Sequence, residues 1–172
     1  MAEAVITRRG KKSYVGKVLA DVVVTTATTQ VDITGLNIAR NKELMLSMTL
    51  IGNSSYVDVQ LLINANYTVT NYYSQELYAN GTGVSGERSN TAKLFYVATA
   101  GNSSHGVAYI QLGNTGYLQG LGMGIRQMGT APTINYKAVK SNFTSTTITS
   151  IRISGTEASS LGVGTRIRLY EV

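Results

Sequence analysis

The residues of this chain that could perform catalysis begin with its single histidine, His105. A Ser-His-Asp arrangement would need this imidazole beside a buried carboxylate. His105 stands instead in the stretch Gly101–Gly106, which reads as an exposed loop without an acidic residue. The chain also has no cysteine, which excludes thiol catalysis, disulfides and cysteine-based zinc sites. We therefore expect a loop histidine and no enzymatic activity.

The nine carboxylates are scattered along the chain and never lie close together in sequence. Two of them could still meet in space, as glycoside hydrolysis requires. No stretch, however, has the ligand spacing of a calcium-binding loop. The sequence therefore predicts no metal site and no cofactor.

The glycines at positions 120, 122 and 124 resemble a phosphate-binding loop at first sight. The dinucleotide pattern fails because Ile125 stands where the last glycine belongs, and no helical pattern follows. Glycines spaced by two are more typical of strand positions where a neighbouring group approaches closely. We expect this structural role.

Basic residues are concentrated at the N-terminus. Arg8, Arg9, Lys11, Lys12 and Lys17 outnumber the acidic residues of the first 17 positions and account for most of the net charge of +6. The remainder is nearly neutral, whereas nucleic-acid-binding domains usually spread basic residues over one face of the fold. We therefore predict an extended basic arm over residues 1–17 that docks on another protein, and no specific nucleic-acid partner.

Three arginines alternate with apolar residues near the C-terminus: Arg152, Arg166 and Arg168. If their two strands paired, the guanidinium groups would form a stripe able to hold phosphate, an acidic sugar or an acidic subunit. The alternative is an ordinary solvated face.

The chain has 11 tyrosines, and four of them fall in one region. Tyr67, Tyr72, Tyr73 and Tyr78 lie where the chain would leave the sheets as a loop, and one or two helical turns could form over Asn71–Ala79. A rigid ring with a polar tip suits contact surfaces, so these residues are candidates for receptor or subunit contact. Packing within the chain is the alternative.

The elements that must position these residues are strands, because side-chain character alternates with a period of two along most of the chain. Glycine- and asparagine-rich turns separate the segments, and no long helix is predicted. Ten segments show the pattern: Val18–Val24, Gln30–Leu36, Leu44–Ile51, Val57–Ile63, Leu94–Ala98, Ala108–Leu112, Gly122–Met128, Thr133–Val139, Ile148–Ser154 and Thr165–Val172. They predict an antiparallel, jelly-roll-like β-sandwich over residues 18–172.

The order of three motifs resembles structural proteins of tailed bacteriophages. Ser145–Ser154 and Leu161–Tyr170 are similar to a C-terminal pair of strands of the form I-T-S-I-x-I and G-[ST]-R-[IF]-x-L-Y. The aromatic and then glycine- and serine-rich stretch from Asn66 to Arg88 resembles the middle of such proteins, and Ala4–Gly10 resembles the start. The family often ends L-Y-G-[IL], whereas this chain ends Tyr-Glu-Val.

The resemblance implies a jelly-roll virion protein without enzymatic activity, commonly a homotrimer, found as a head decoration or tail appendage. The composition agrees with shared surfaces, since only 14% of the residues are charged and 43% are hydrophobic. The expected partners are copies of this chain and other virion subunits. A lectin-like module that binds a host surface glycan is the alternative function.

The expected location is the virion, assembled in the host cytoplasm. The opening residues lack the order of a signal peptide, because the short apolar stretch Ala4–Ile6 precedes the basic cluster. No apolar run approaches the length of a membrane helix, so we expect no membrane insertion.

Overall fold

The chain is all-β, as the alternating sequence pattern predicts. The computed structural model describes residues 3–8, 11–53, 57–80, 83–97, 100–128 and 131–172. Within these ranges there is no α-helix, and a short 3-10 helix spans Val69–Asn71. The strands are β1 (Glu3–Arg8), β2 (Lys11–Val23), β3 (Gln30–Ile33), β4 (Ile38–Ala39), β5 (Glu43–Ile51), β6 (Val57–Ile63), β7 (Tyr72–Asn80), β8 (Gly83–Ser89), β9 (Lys93–Val97), β10 (Ser103–Leu112), β11 (Tyr117–Met128), β12 (Ala131–Thr144), β13 (Thr147–Ile148), β14 (Ile151–Gly155) and β15 (Arg166–Glu171).

Eight of these strands form a jelly roll. In chain order they are β2, β3, β5, β6, β9, β10, β14 and β15, and the first pairs with the last, the second with the seventh, the third with the sixth and the fourth with the fifth. All of these pairs are antiparallel. They give two sheets, β2-β15-β5-β10 and β3-β14-β6-β9, which is the strand order of a jelly roll. The predicted fold class is confirmed.

Two inserted hairpins widen the first sheet beyond β10. The hairpin β7–β8 follows β6, and the hairpin β11–β12 follows β10. Both add to the same edge, in the order β10-β11-β12-β7-β8, while β1 adds to the opposite edge beside β2. The result is a large sheet of nine strands facing a small sheet of four.

The core lies between the two sheets. In β5 the residues Leu44, Leu46, Met48 and Leu50 are buried, and the intervening residues are partly exposed, as the period of two predicts. The small sheet contributes buried residues of β6 and β14, such as Ile153. Burial of one such side chain stabilises the fold by roughly 1.5–3 kcal/mol, so this aliphatic layer is a main source of stability.

The predicted arm joins the large sheet without a break in the strand. β1 pairs with the first half of β2, and β2 continues through residues 17 and 18, where the sequence predicts the boundary between arm and sandwich. Beyond that point Val18 to Val23 pair with β15. Gly16 adopts a left-handed φ of 113° and lies against the backbone oxygen of Glu171, where a Cβ atom would not fit. A glycine is therefore required where the arm meets the sandwich.

Candidate functional site

The three C-terminal arginines do not form one stripe, because their strands belong to different sheets. Arg152 lies on β14 of the small sheet, where its guanidinium makes a bidentate ion pair with Asp32 at 2.6 and 2.9 Å. The same guanidinium stacks on the ring of Tyr67, 3.5 Å from its centroid. Arg152 is thus held by neighbours of its own chain.

Arg166 and Arg168 lie together on β15 and share one carboxylate. Arg166 contacts Asp21 at 2.8 and 2.6 Å, and Arg168 contacts the same residue at 3.3 Å. The hydrogen bond from Arg166 lowers the pKa of Asp21 below its usual value, although partial desolvation opposes this effect. Because the two arginines share one carboxylate, the three residues together carry a net charge of +1 on the surface of the large sheet.

The four tyrosines of the middle region do not form one cluster either. Tyr72 is fully buried, whereas Tyr73 follows it on the outer face of β7 and Tyr67 lies in the preceding loop. Tyr78 is half-buried further along the strand. Tyr72, Tyr73 and Tyr78 lie in a strand of the large sheet and not in a loop, whereas Tyr67 does lie in a loop. Tyr67, Tyr73 and part of Tyr78 are accessible for contacts.

Tyr72 connects the two sheets from within. Its hydroxyl accepts a hydrogen bond from the amide of Ile63 on β6 at 3.0 Å and donates one to the carbonyl of Asn66 at 2.9 Å. Its ring meets Phe143 edge-on, with centroids 5.4 Å apart. Burial raises the pKa of Tyr72 to about 12. These contacts assign Tyr72 to the core.

For the basic residues at positions 8, 11 and 12, the structure describes the backbone but not the side chains. Arg8, Lys11 and Lys12 lie in the β1–β2 hairpin, with Arg8 opposite Lys11 in the register. Arg9 and the side chains of these three residues lie outside the described part of the structure, so their contacts stay predictions. Lys17 is exposed and pairs in register with Glu171 of β15.

His105 is exposed on the outer face of β10. Its Nδ1 lies 3.3 Å from the hydroxyl of Thr49 on β5, a neutral partner. Thr49 is therefore the hydrogen-bonding neighbour of the imidazole on the surface of the sheet. It lies in a strand and not, as the sequence predicts, in a loop.

The glycines of β11 point inward and make room for an aromatic ring. A Cβ atom on Gly122 would lie 3.1 Å from Leu94 Cδ1 and 3.3 Å from Phe95 Cε1, and one on Gly124 would lie 3.3 Å from Phe95 Cδ1. Gly106 of β10 lies against the same ring. The structural role predicted for these glycines is confirmed, since β9 packs directly on them.

Because the glycines point inward, the bulky residues of β11 and β12 point outward. Leu121, Met123 and Ile125 alternate with the glycines and are 58%, 50% and 52% exposed. On β12 the inward residues include polar side chains, while Tyr136 is 47% exposed on the outer side. This pattern reverses the usual arrangement of apolar residues inside and polar residues outside. We call these residues, together with their neighbours on β10 and β7, the outer apolar face: Leu77, Tyr109, Leu121, Met123, Ile125, Ile134 and Tyr136.

A charged cluster lies on the inner side of the same strands. The Nζ atom of Lys137 is fully buried, 3.4 Å from Asp58 and 3.3 Å from Glu76. Lys93 completes the cluster, 2.9 Å from Asp58. Burial lowers the pKa of Lys137, although the two carboxylates oppose the shift. Lys137 on β12 lies far in sequence from the two carboxylates on β6 and β7, so no sequence motif marks this cluster.

A shallow groove runs beside Tyr109 at one end of the outer apolar face. It has a volume of about 480 Å³. Its lining combines the exposed Tyr109 ring and apolar neighbours such as Leu121 with four polar side chains: Glu43, Gln111, Gln119 and Lys140. An aromatic ring among hydrogen-bonding groups is an arrangement that could hold a sugar.

The described ranges contain neither a cluster that could bind a metal ion nor a helix that could span a membrane. These ranges hold no group of three or more histidine, cysteine, aspartate or glutamate side chains that could bind a metal ion. They also hold no helix long and apolar enough to cross a membrane. No protein-family model and no curated protein matches this chain in sequence comparisons.

Proposed function

We propose that this chain is a non-enzymatic structural subunit of a bacteriophage particle, a capsid decoration or a tail appendage, that assembles as a homotrimer. The observation that carries the proposal is the outer apolar face on an otherwise complete jelly roll. A monomer rarely keeps a large apolar patch in water, and such patches typically mark contacts with other proteins. The resemblance of the terminal strands to phage structural proteins supplies the setting.

The arm supports docking on a particle. It continues the outermost strands of the large sheet and carries the basic residues Arg8, Arg9, Lys11 and Lys12. A basic hairpin beside a jelly roll can attach to an acidic capsid or tail surface while the sandwich stays free to contact its own copies. In this proposal the arm provides attachment and the outer face provides assembly.

Immunogold electron microscopy of the particles encoded by the genome that carries this sequence tests the function. We expect antibody against the purified chain to label intact particles, either on the head or on the tail. Head labelling assigns a decoration protein, and tail labelling assigns an appendage. Unlabelled particles that also lack the chain in mass spectrometry contradict the proposal.

A second candidate function is glycan binding, which the groove at Tyr109 favours. Its test is a glycan array with the purified chain and with the variant Tyr109→Ala. Tyr67→Ala, in the loop beside Arg152 of the small sheet, serves as the matched control. Selective binding that is lost in Tyr109→Ala and kept in Tyr67→Ala would support a lectin-like role, and an array without signal would remove it.

A further inference from the structure

We propose that the outer apolar face is the surface on which a second copy of this chain packs. The proposal rests on the homotrimeric assembly proposed above and names the contact that builds it. Its starting point is the register of the four central strands. Val107, Met123, Tyr136 and Leu77 are consecutive cross-strand partners, so they form one continuous row across β10, β11, β12 and β7.

Two further rows lie on either side of this central row. Tyr109 pairs with Leu121 on one side, and Ile125 pairs with Ile134 on the other. Side chains opposite one another in neighbouring strands are in contact range, so the three rows merge into one apolar surface. In a closed trimer, one part of this surface on each copy packs against a different part of the surface on the next copy.

The area of the face matches what an interface between proteins needs. A large side chain presents on the order of 200 Å², so seven that are about half exposed offer on the order of 700 Å² of apolar surface. A typical monomer leaves a largest patch of about 300–600 Å², and a standard interface covers about 800 Å² on each partner. The face is therefore large enough to hold another folded chain.

Charge distribution favours a second copy over a different partner. The chain carries a net charge of +6, so two copies repel each other wherever charged surfaces meet. The central row contains no charged residue. The cations on this side lie around it: Arg168 on β15, Arg88 on β8 and Lys140 on β12. An apolar centre with charges at the rim is the usual composition of an interface. An acidic partner would instead be expected on the basic arm.

The inner side of the same strands explains why the bulky residues face outward. The inward positions at the centre of β11 are Gly122 and Gly124, which accommodate Phe95, and those of β12 include Lys137 and Asn135. Slipping either strand by one residue would bury the apolar set but would drive large side chains into the ring of Phe95. The apolar residues are thus held on the outer side of the sheet.

The test compares the oligomeric state of two glutamate variants. Met123→Glu places a charge at the centre of the outer apolar face, and Val163→Glu places one in the loop before β15, at a residue that is 60% exposed. By light scattering at micromolar concentration, we expect trimers for the wild type and Val163→Glu, and an 18.4 kDa monomer for Met123→Glu. Circular dichroism controls for folding. A trimeric Met123→Glu, or a monomeric wild type, overturns the proposal.

A second measurement uses the absence of cysteine from the chain. Single variants Met123→Cys and Val163→Cys are alkylated with a maleimide across a dilution series. We expect slow labelling of Met123→Cys that becomes fast as the assembly dissociates, and fast labelling of Val163→Cys throughout. Slow labelling of Met123→Cys in a monomer would mean that the chain's own arm covers the face, and labelling that is fast at every concentration would mean that nothing covers it. Either result overturns the proposal.

Attachment to particles separates this inference from the proposed function. If the chain is present on particles but Met123→Glu is still a trimer, the proposed function stands and the proposed contact is refuted. If Met123→Glu is a monomer but the chain is absent from particles, the contact stands and the proposed function is refuted.

Discussion

Tyr72 shows how a residue that suggests a contact site can instead hold the fold together. Its hydroxyl accepts a hydrogen bond from the buried amide of Ile63, the last residue of β6. We predict that Tyr72→Phe lowers the free energy of unfolding by about 1–3 kcal/mol, the cost of an unsatisfied buried group. Urea denaturation at neutral pH measures this. Tyr73→Phe is the matched control, since Tyr73 is exposed on the opposite face, and equal stability of the two variants would contradict the assignment.

The raised pKa of Tyr72 also predicts the direction in which the stability of the fold changes at alkaline pH. The folded pKa is about 12 and the model-compound value is 10.0, so between these values the unfolded chain releases a proton that the folded chain retains. The stabilisation is complete below pH 10 and is lost as the pH rises towards 12, by about 3 kcal/mol in total. Between pH 9 and pH 12, the free energy of unfolding measured by denaturation should fall less steeply for Tyr72→Phe than for Tyr73→Phe. An equally steep fall in both variants would rule out this linkage.

Replacement of Lys137 is predicted to have a larger effect on stability, because this residue is a buried charge between two carboxylates. Lys137→Met removes the cation that contacts the buried Glu76, whereas Asp58 keeps its ion pair with Lys93. Loss of one partner of a buried ionic group costs about 3–5 kcal/mol. Lys140→Met, on the exposed side of the same strand, should change stability by less than about 0.5 kcal/mol. Thermal denaturation of the two variants checks the difference, and similar melting temperatures would show that the cluster contributes little.

At the scale of the strand, the inward glycines of β10 and β11 fix the position of β9. Gly106→Ala would place a Cβ atom against the ring of Phe95, and overpacking of a core costs about 1–3 kcal/mol. Gly86→Ala in β8 is the control, since its Cβ atom would meet only a backbone oxygen at 3.4 Å. Denaturant midpoints should fall for Gly106→Ala and stay level for Gly86→Ala. A stable Gly106→Ala would mean that Phe95 can move without cost.

The strands that the sequence predicts well are those with one apolar face turned inward. β5 and β6 match the predicted Leu44–Ile51 and Val57–Ile63 to within one residue, because their side chains alternate between core and surface. The predicted Ile148–Ser154 is divided in the structure into β13 and β14. Local alternation indicates a strand but does not show where the chain changes sheets.

The strands that the sequence missed lack that apolar alternation. β7 turns Ser74 and Glu76 inward, so its pattern is hidden among polar residues. β8 is exposed along nearly all of its length and has no apolar face to detect. The same reasoning explains the missed site: Glu76 and Lys137 become partners only because β7 and β12 are neighbours. Pairing of distant strands is a tertiary property that composition and spacing do not encode.

The outer apolar face could have been detected in part. The bulky residues of β11 alternate with glycines, which predicts a strand, but the ordinary rule would turn the bulky side inward. The sequence also suggests shared surfaces from Leu61–Ile63, where bulky residues point both ways. In the structure all three of these side chains are buried within the chain, so they give no evidence of a partner. The proposed contact rests instead on the exposed residues of β11 and β12.

At the scale of the whole molecule, the arm can be removed without dismantling the sandwich. Deletion of residues 1–17 removes β1 and the first half of β2, but the pairs from Val18 to Val23 with β15 remain. We expect the free energy of unfolding to fall by no more than about 2 kcal/mol, because the core residues that the structure describes all lie after residue 17. Attachment to particles should be lost. Co-sedimentation of the truncated chain with particles measures this, and normal attachment would contradict a docking role for the arm.

The pairing of the first jelly-roll strand with the last also determines how the molecule carries mechanical load. Lys17 and Glu171 lie side by side at one end of the β2–β15 ladder, and Val23 and Arg166 lie at the other. A pull between the N-terminus and residue 163 loads all of these hydrogen bonds at once, in shear. A pull between the two termini opens them one after another, as a zipper opens. With optical tweezers and a handle on Val163→Cys, the first geometry should require the larger unfolding force, and equal forces would contradict this. A subunit held by its arm would thus resist drag along the strand far better than a force that pries its two ends apart.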